Sequence, residues 1–320
     1  MQAQDHFVAE RKPRWQELDM MLGNASGLHE LAPAGISRAG SLYRSLCADL
    51  MRARSAGYEH DLVTYLDGLA ARAHNQLYGA RPLRLGGLVR LVTHEFPRTL
   101  RAQGRFFAIA SALFVVPMVV ALIAVIIHPP FATDILPRSM LEASAQSYAD
   151  GLEGRASGTD ASMAGFYVNN NVGIAFRCFA TGIMFGLGSI FFLVYNGIVI
   201  GTIVGWVIVR GHGDNILTFI CGHAPFELTA ICIAGAAGLQ MGYALVRTNG
   251  LTRLGSLRAQ APALGSIISG AALMLMIAAL IEGFWSPSGV AAPVKWVVAG
   301  VLTLLVAGYL AFAGRRRTRR

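Results

Sequence analysis

Charge is the scarcest property of this sequence. Only 14% of its 320 residues are Asp, Glu, Lys or Arg, where a soluble domain carries roughly a quarter. That shortage, with 54% hydrophobic residues and a mean hydropathy of +0.50, excludes an ordinary soluble enzyme and a disordered chain. Cysteine is sparse as well. Cys47, Cys178, Cys221 and Cys232 are scattered singles without a C-x-x-C, which excludes a disulfide-stapled module. Three of them lie in apolar runs, where a free cysteine acts as a small packed hydrophobe. The first 30 residues are polar and lack the apolar stretch of a signal peptide, so the N-terminus is expected in the cytoplasm. What the chain has in quantity is glycine, 36 residues of it, and long apolar runs: the marks of a membrane protein.

The runs begin late. Residues 1–105 hold 14 Lys/Arg and 10 Asp/Glu and no apolar stretch long enough to cross a bilayer. Two segments there have helical periodicity. In 36–56 the stripe is Ile36, Tyr43, Leu46, Leu50 and Ala53; in 58–78 it is Leu62, Tyr65, Leu66, Leu69, Ala73 and Leu77. Shorter helices are expected over 13–22, with Pro13 in the first turn, and over 83–96, while Gly57 and Gly79 suit helix ends. The expectation is a cytosolic helical bundle over 1–98 and a transmembrane domain over 99–320.

The first span is 106–127, and an outer loop follows over 128–165. The apolar stretch 166–209 is too long for one helix. A turn at Asn196-Gly197 would leave a second leg of only ~20 Å, so the turn is placed at Gly186–Ser189, giving spans near 167–186 and 190–209 with Asn196 inside a helix. Pro225 cannot donate to the carbonyl of Cys221, so it breaks the next run into a re-entrant or interfacial piece over 215–223 and a span over 225–246. Spans at 264–283 and 293–313 complete six. The predicted fold is all-α: a polytopic membrane protein with six transmembrane helices.

Arginine placement explains the net charge of +9. With the N-terminus inside, 22 of the 27 Lys/Arg fall on inner segments, four (Arg138, Arg155, Arg210, Lys295) on outer ones, and Arg177 lies in a span. This follows the positive-inside rule and points to a multi-pass membrane protein with both termini cytoplasmic. Trp206, Trp285 and Trp296 fall at outer span ends, as in an aromatic belt. The terminal Arg-rich run is read as an anchor to anionic membrane lipids; no nucleic acid is expected.

Glycines recur at G-x-x-x-G spacing: Gly197, Gly201 and Gly205 in the third span, Gly182 and Gly186 in the second, and Gly238 and Gly242 in the fourth. Such faces let helices approach closely, which predicts a tight bundle or a homodimer interface. Polar residues at membrane depth are costly unless satisfied, so they mark candidate sites. They are Asn169, Asn170, Arg177, Asn196, His223, Glu227 and Glu282, and all but Asn196 sit toward the outer half. His223 and Glu227 are four apart and share a helix face. Three readings stand: an internal network in which Arg177 pairs with Glu227 or Glu282; a surface for an extracytoplasmic partner; and a catalytic or metal site with Glu227 as base and His223 as ligand or acid. H-x-x-x-E lacks the second histidine of H-E-x-x-H, so no metal, cofactor or catalytic residue is assigned.

These residues stand in a familiar order. F-x-x-N-N (Phe166, Asn169, Asn170), Asn196-Gly197 with Gly201, His223-x-x-x-Glu227-Leu228, and Glu282-Gly283-Phe284 before Ser286-Pro287 resemble the stage II sporulation protein M family. Leu42-Tyr43-Arg44, Asp49-Leu50, Arg54, Arg72-Ala73-His74 and Leu77-Tyr78 agree with it, while Ala224 departs from the glycine of an H-G-x-x-E-L pattern. The resemblance implies an integral protein of the bacterial cytoplasmic (inner) membrane without established enzymatic activity. Its founding members are thought to hold peptidoglycan-remodelling enzymes in a membrane complex, and relatives often lie beside genes for a MoxR-type AAA+ ATPase and von Willebrand-type proteins. The expected function is therefore a scaffold, not an enzyme, that recruits protein partners on both faces of the membrane. The alternative is a transporter or an intramembrane hydrolase that uses the polar cluster.

Overall fold

The computed structural model describes residues 2–23, 32–78, 85–149 and 170–315, and these are helical throughout, without strands. Asn169 and Gly79 lie outside the described residues. The chain divides into two compact units, Met1–Arg84 and Leu85–Arg320. The boundary thus falls before residue 98: Leu85–Arg90 and the turn that follows it belong with the second unit, where Phe96 and Leu100 join the core.

The first unit is a three-helix bundle of α1 (Gln2–Gly23), α2 (Pro33–Ser55) and α3 (His60–Tyr78). Its core takes Phe7, Trp15, Leu18 and Leu22 from α1, Leu42, Leu46, Leu50 and Ala53 from α2, and Leu66, Leu69 and Ala73 from α3. Most of the two predicted stripes is buried or packed against that core, but Ile36 and Tyr65 are exposed. α1 begins well before the predicted residue 13, so Pro13 lies inside the helix and not in its first turn. Burial of Phe7 and Trp15 on either side of the proline outweighs its missing hydrogen bond. Gly57, at φ +65°, ends α2 as expected.

The second unit contains α4 (Phe96–Ala102), α5 (Gly104–Ile127), α6 (Arg138–Ser147), α7 (170–180), α8 (Leu187–Val207), α9 (Gly213–Ile220), α10 (Ala224–Val246), α11 (Arg253–Leu280) and α12 (Ala292–Phe312). Five helical stretches are long and apolar enough to cross a membrane: Gly104–Ile127, Leu187–Ile220, Ala224–Val246, Arg253–Trp285 and Ala292–Phe312. The six predicted spans are therefore not reached among the described residues. Of the second, the described residues hold α7, about 17 Å of helix, followed by a 3-10 turn over Thr181–Ile183 and a reversal in which Phe185 and Gly186 both take positive φ. The reversal lies at the predicted place. Leu187–Ile220 bends at Gly211 (φ +88°), which separates α9 from the long helix. α9 then stops at a turn over 221–223, immediately ahead of Pro225 in the first turn of α10. The interfacial piece expected over 215–223 takes this form.

Glycine sets how closely these helices pack. α8 runs parallel to α5, with Gly197, Gly201 and Gly205 against the carbonyls of Phe114, Met118 and Leu122, so a methyl group at Gly201 would overlap the Met118 oxygen. α10 runs antiparallel to α8 through the centre of the unit, with Gly238 against Gly182 and Gly242 against Gly186. The Ser189 hydroxyl donates to the Cys178 carbonyl at 2.6 Å across the same turn. All seven predicted glycines are thus spent inside one chain and offer no face to a second copy.

Both ends of the transmembrane unit meet. Arg101 donates to the carbonyls of Leu310 and Ala313 at 2.7 and 2.5 Å, and the Tyr309 hydroxyl donates to the Val92 carbonyl. The opposite end holds Ile127, Val207, the turn before α10 and the α11–α12 connection. It is covered by Phe131–Ile135 and α6, which pack Ala132, Leu136, Leu141 and Ala145 on Val125 and Trp206. Part of the expected outer loop is therefore an ordered helical cap, tied down by an ion pair between Arg210 and Glu142.

Candidate functional site

Beneath this cap lies a cavity of about 610 Å³. Its lining is mostly apolar, from Met118, Leu122, Phe192, Ile200 and Val204 among others, with polar groups gathered on one side. Six of the seven predicted polar residues line it: Asn170, Arg177, Asn196, His223, Glu227 and Glu282. They are spread over 113 positions of sequence and come from four elements, α7, α8, the start of α10 and the end of α11.

The deepest of these groups form a cluster. His223 closes the 221–223 turn, and its carbonyl accepts from the backbone N–H groups of Phe226 and Glu227 at 3.0 Å each. Glu227, one helical turn further on, projects to the same side. Glu282 arrives from a π-helical turn, Ile281–Trp285, which extends α11 and closes with Ser286 N–H donating to the Ile281 carbonyl at 2.8 Å. Such turns carry an extra residue per turn and re-aim side chains, and they are frequent at functional sites. His223 Nε2 then lies 3.8 Å from Glu227 Oε2 and 3.9 Å from Glu282 Oε1. The other ring nitrogen, Nδ1, is hydrogen-bonded to Ser286 Oγ at 3.0 Å. His223, Glu227 and Glu282 are 4%, 9% and 5% exposed, so all three are withdrawn from solvent.

Arg177 lines the same cavity but forms no ion pair with Glu227 or Glu282, so the structure corrects the predicted internal pairing. It is exposed on α7, with a guanidinium nitrogen close to Gly173. Asn196 satisfies itself locally, donating to the Phe192 carbonyl at 2.7 Å. Two residues around the cluster escaped the sequence reading as site residues. Ser286 orients His223, and Lys295 is buried, with Nζ donating to the carbonyls of Ser286 and Ser288 at 2.8 and 2.7 Å. Lys295 thereby ties the start of α12 to the loop that carries Ser286. Ser286 stood in the quoted Ser-Pro motif, which was its only signal; Lys295, counted as an outer-loop charge, had none.

A helical membrane unit with a capped cavity and a buried imidazole–dicarboxylate cluster defines the class: a polytopic α-helical membrane protein with a polar site at one end of its bundle. Comparison with known families makes this particular. Residues 107–287 match the sequence model of stage II sporulation protein M, and the chain belongs to that family. The match runs from α5 through Pro287 and so contains the whole cluster, Ser286 included. Residues 5–79, which are the first unit, match a domain of unknown function, DUF8413. Among curated proteins the chain is similar to an uncharacterized protein of Methanocaldococcus jannaschii, 30% identical over 77 residues, which make up 24% of this chain and 43% of that protein. The chain thus matches less than half the length of that relative. No solved structure matches.

Proposed function

We propose that this protein is an integral scaffold of the bacterial inner membrane, recruiting partners through its first helical unit and through the capped end of its transmembrane unit. One observation carries the reading: the chain joins a helical unit with a closed core of its own to a separate apolar bundle. A module with its own core can bind a partner without disturbing the membrane bundle. In support, the two ends of the transmembrane unit share a side, and Arg98, Arg101, Arg105, Arg247, Arg253 and Arg315 gather there, the side the positive-inside rule makes cytoplasmic. α7 leads from the cavity to the reversal at Phe185 and Gly186, which lies against Gly242 near the end of α10. Partners of the kinds implied by the family resemblance, peptidoglycan-remodelling enzymes outside or an AAA+ ATPase inside, would meet the capped end and the first unit respectively. A homodimer would need a surface other than the glycine stripes.

The test is crosslinking with mass spectrometry in native membranes, on the full chain and on a chain lacking residues 1–84. Cytosolic partners are expected to disappear with the first unit while membrane abundance holds. An identical partner list for both chains contradicts the reading.

A second reading, a transporter or intramembrane hydrolase, is favoured by the cavity and its three buried ionisable groups. It predicts that Glu227→Gln abolishes cellular function with abundance and crosslinked partners unchanged.

A further inference from the structure

The arrangement at His223, Glu227 and Glu282 poses a hydrogen-bonding problem. Two neutral tautomers of the imidazole are available. If Nδ1–H donates to Ser286 Oγ, Nε2 turns a lone pair toward two carboxylates, and three acceptors face one another. If Ser286 donates to Nδ1, the Nε2–H points at oxygens 3.8 and 3.9 Å away, beyond hydrogen-bonding distance. Neither tautomer satisfies the group. Among the described residues no donor reaches Glu282 Oε2, which is fully buried, and Arg177 and Lys295 are directed elsewhere. A buried polar atom left in this way is costly, the more so in the low dielectric of a membrane.

One ligand class answers every part of this. We infer that His223, Glu227 and Glu282 bind a single divalent transition-metal ion of the zinc type. The three candidate donor atoms all lie within 4.8 Å of one another. Nitrogen and oxygen ligands ~2.1 Å from one ion sit roughly 3.4 Å apart in a tetrahedron and at most about 4.2 Å apart. Small side-chain movements therefore close the set. Two carboxylates and a dication sum to zero charge, which suits membrane depth. Imidazole in the donor set favours zinc, copper, iron or nickel over magnesium, calcium or manganese. Ser286 supplies the partner that metal-bound histidines use on their other ring nitrogen, fixing the tautomer that presents Nε2. Three protein ligands leave a coordination position open, and it faces the cavity, where a water or a ligand oxygen can enter. The inference goes beyond the scaffold reading and is independent of it, because such an ion can brace the α10–α11 contact in a scaffold as well as serve a reaction.

The experiment uses the full chain, purified in detergent, stripped with chelator and titrated with Zn²⁺ alone. One Zn²⁺ per chain is expected. His223→Gln and Glu282→Gln should each weaken binding at least ~10-fold, Ser286→Ala should weaken it less, and Cys221→Ser should leave it unchanged. X-ray absorption on the wild-type protein supplies a readout that holds even if a variant fails to fold: nitrogen and oxygen neighbours with imidazole scattering and no sulfur. Sulfur in the first shell, equal uptake by correctly folded His223→Gln and Glu282→Gln, or no uptake above buffer background overturns the inference, the last leaving a hydrated, protonated carboxyl pair. Displacement of Zn²⁺ by millimolar Mg²⁺ contradicts the transition-metal assignment. An identical partner list with and without residues 1–84, in a protein that still binds Zn²⁺, would count against the scaffold reading alone.

Discussion

Asp49 shows how much one side chain can hold. It is 5% exposed, accepts from the Trp15 indole N–H at 2.9 Å and faces Arg11 at 3.7 Å, so it joins α1 to α2 through the core of the first unit. Asp49→Ala leaves the indole N–H buried without its partner, at a cost of about 1–3 kcal/mol. Amide exchange in α1 of the intact protein should then accelerate by roughly 5- to 150-fold; unchanged exchange would show that the bond contributes little. On the surface of the same unit, the Arg38 guanidinium holds the Glu17 carboxyl below its ordinary value of 4.5. A lowered carboxylate stabilises above its ordinary pKa, and that contribution is lost as pH falls through the lowered value. The pair is exposed, so acidification to pH 3 should loosen α1 from α2 only slightly, and Arg38→Gln should remove that part of the pH dependence. In the membrane unit, Arg177 and Glu227 share a cavity without pairing. Arg177→Met and Glu227→Gln should therefore be additive in thermal stability within about 0.5 kcal/mol. Rescue of one by the other would restore the pairing expected from sequence.

Among the elements, α8 and α10 make the plainest case. Their glycines let backbone meet backbone, and at Gly201 and Gly242 the neighbouring atoms are main chain, which cannot swing aside. Gly201→Leu should lower the yield of folded protein severely, since overpacking costs roughly 1–3 kcal/mol even where side chains can adjust. Gly289→Ala, with open space around it, should not. Western blotting of membranes beside thermal stability in detergent reads both. Sequence alone shows much at this scale, because an apolar run of fixed length, a Gly-Leu-Gly-Ser turn and a proline at residue 225 each constrain the backbone locally. It fails where the outcome depends on distant partners. α1 runs through Pro13 because tertiary burial of Phe7 and Trp15 overrides the local preference. α7 ends where its turn settles against Gly238 and Gly242. Glu282 meets His223, 59 positions earlier, only because α10 and α11 lie antiparallel, and a sequence read without pairing information holds no trace of that register. Every polar residue of the cluster was recognisable by its cost at membrane depth, and His223 with Glu227 by their spacing, whereas the approach of Glu282 to that pair was not.

For the whole molecule, the account rests on sidedness. The cluster and its helical cap lie at one end of the transmembrane unit, and the start of that unit, the α10–α11 connection and the C-terminal end of α12 lie at the other. If the arginine-rich end is cytoplasmic, the site opens toward the other side of the membrane. This can be measured directly. In a chain whose four native cysteines are replaced by serine, Asn249→Cys and Gly289→Cys place single thiols in the connections at the two ends. A membrane-impermeant maleimide applied to intact cells, with the outer membrane permeabilised, should label Gly289→Cys and spare Asn249→Cys, and inside-out vesicles should reverse the pattern. Labelling of both from the same side would contradict the arrangement of the bundle, and with it the placement of the site opposite the arginine-rich end.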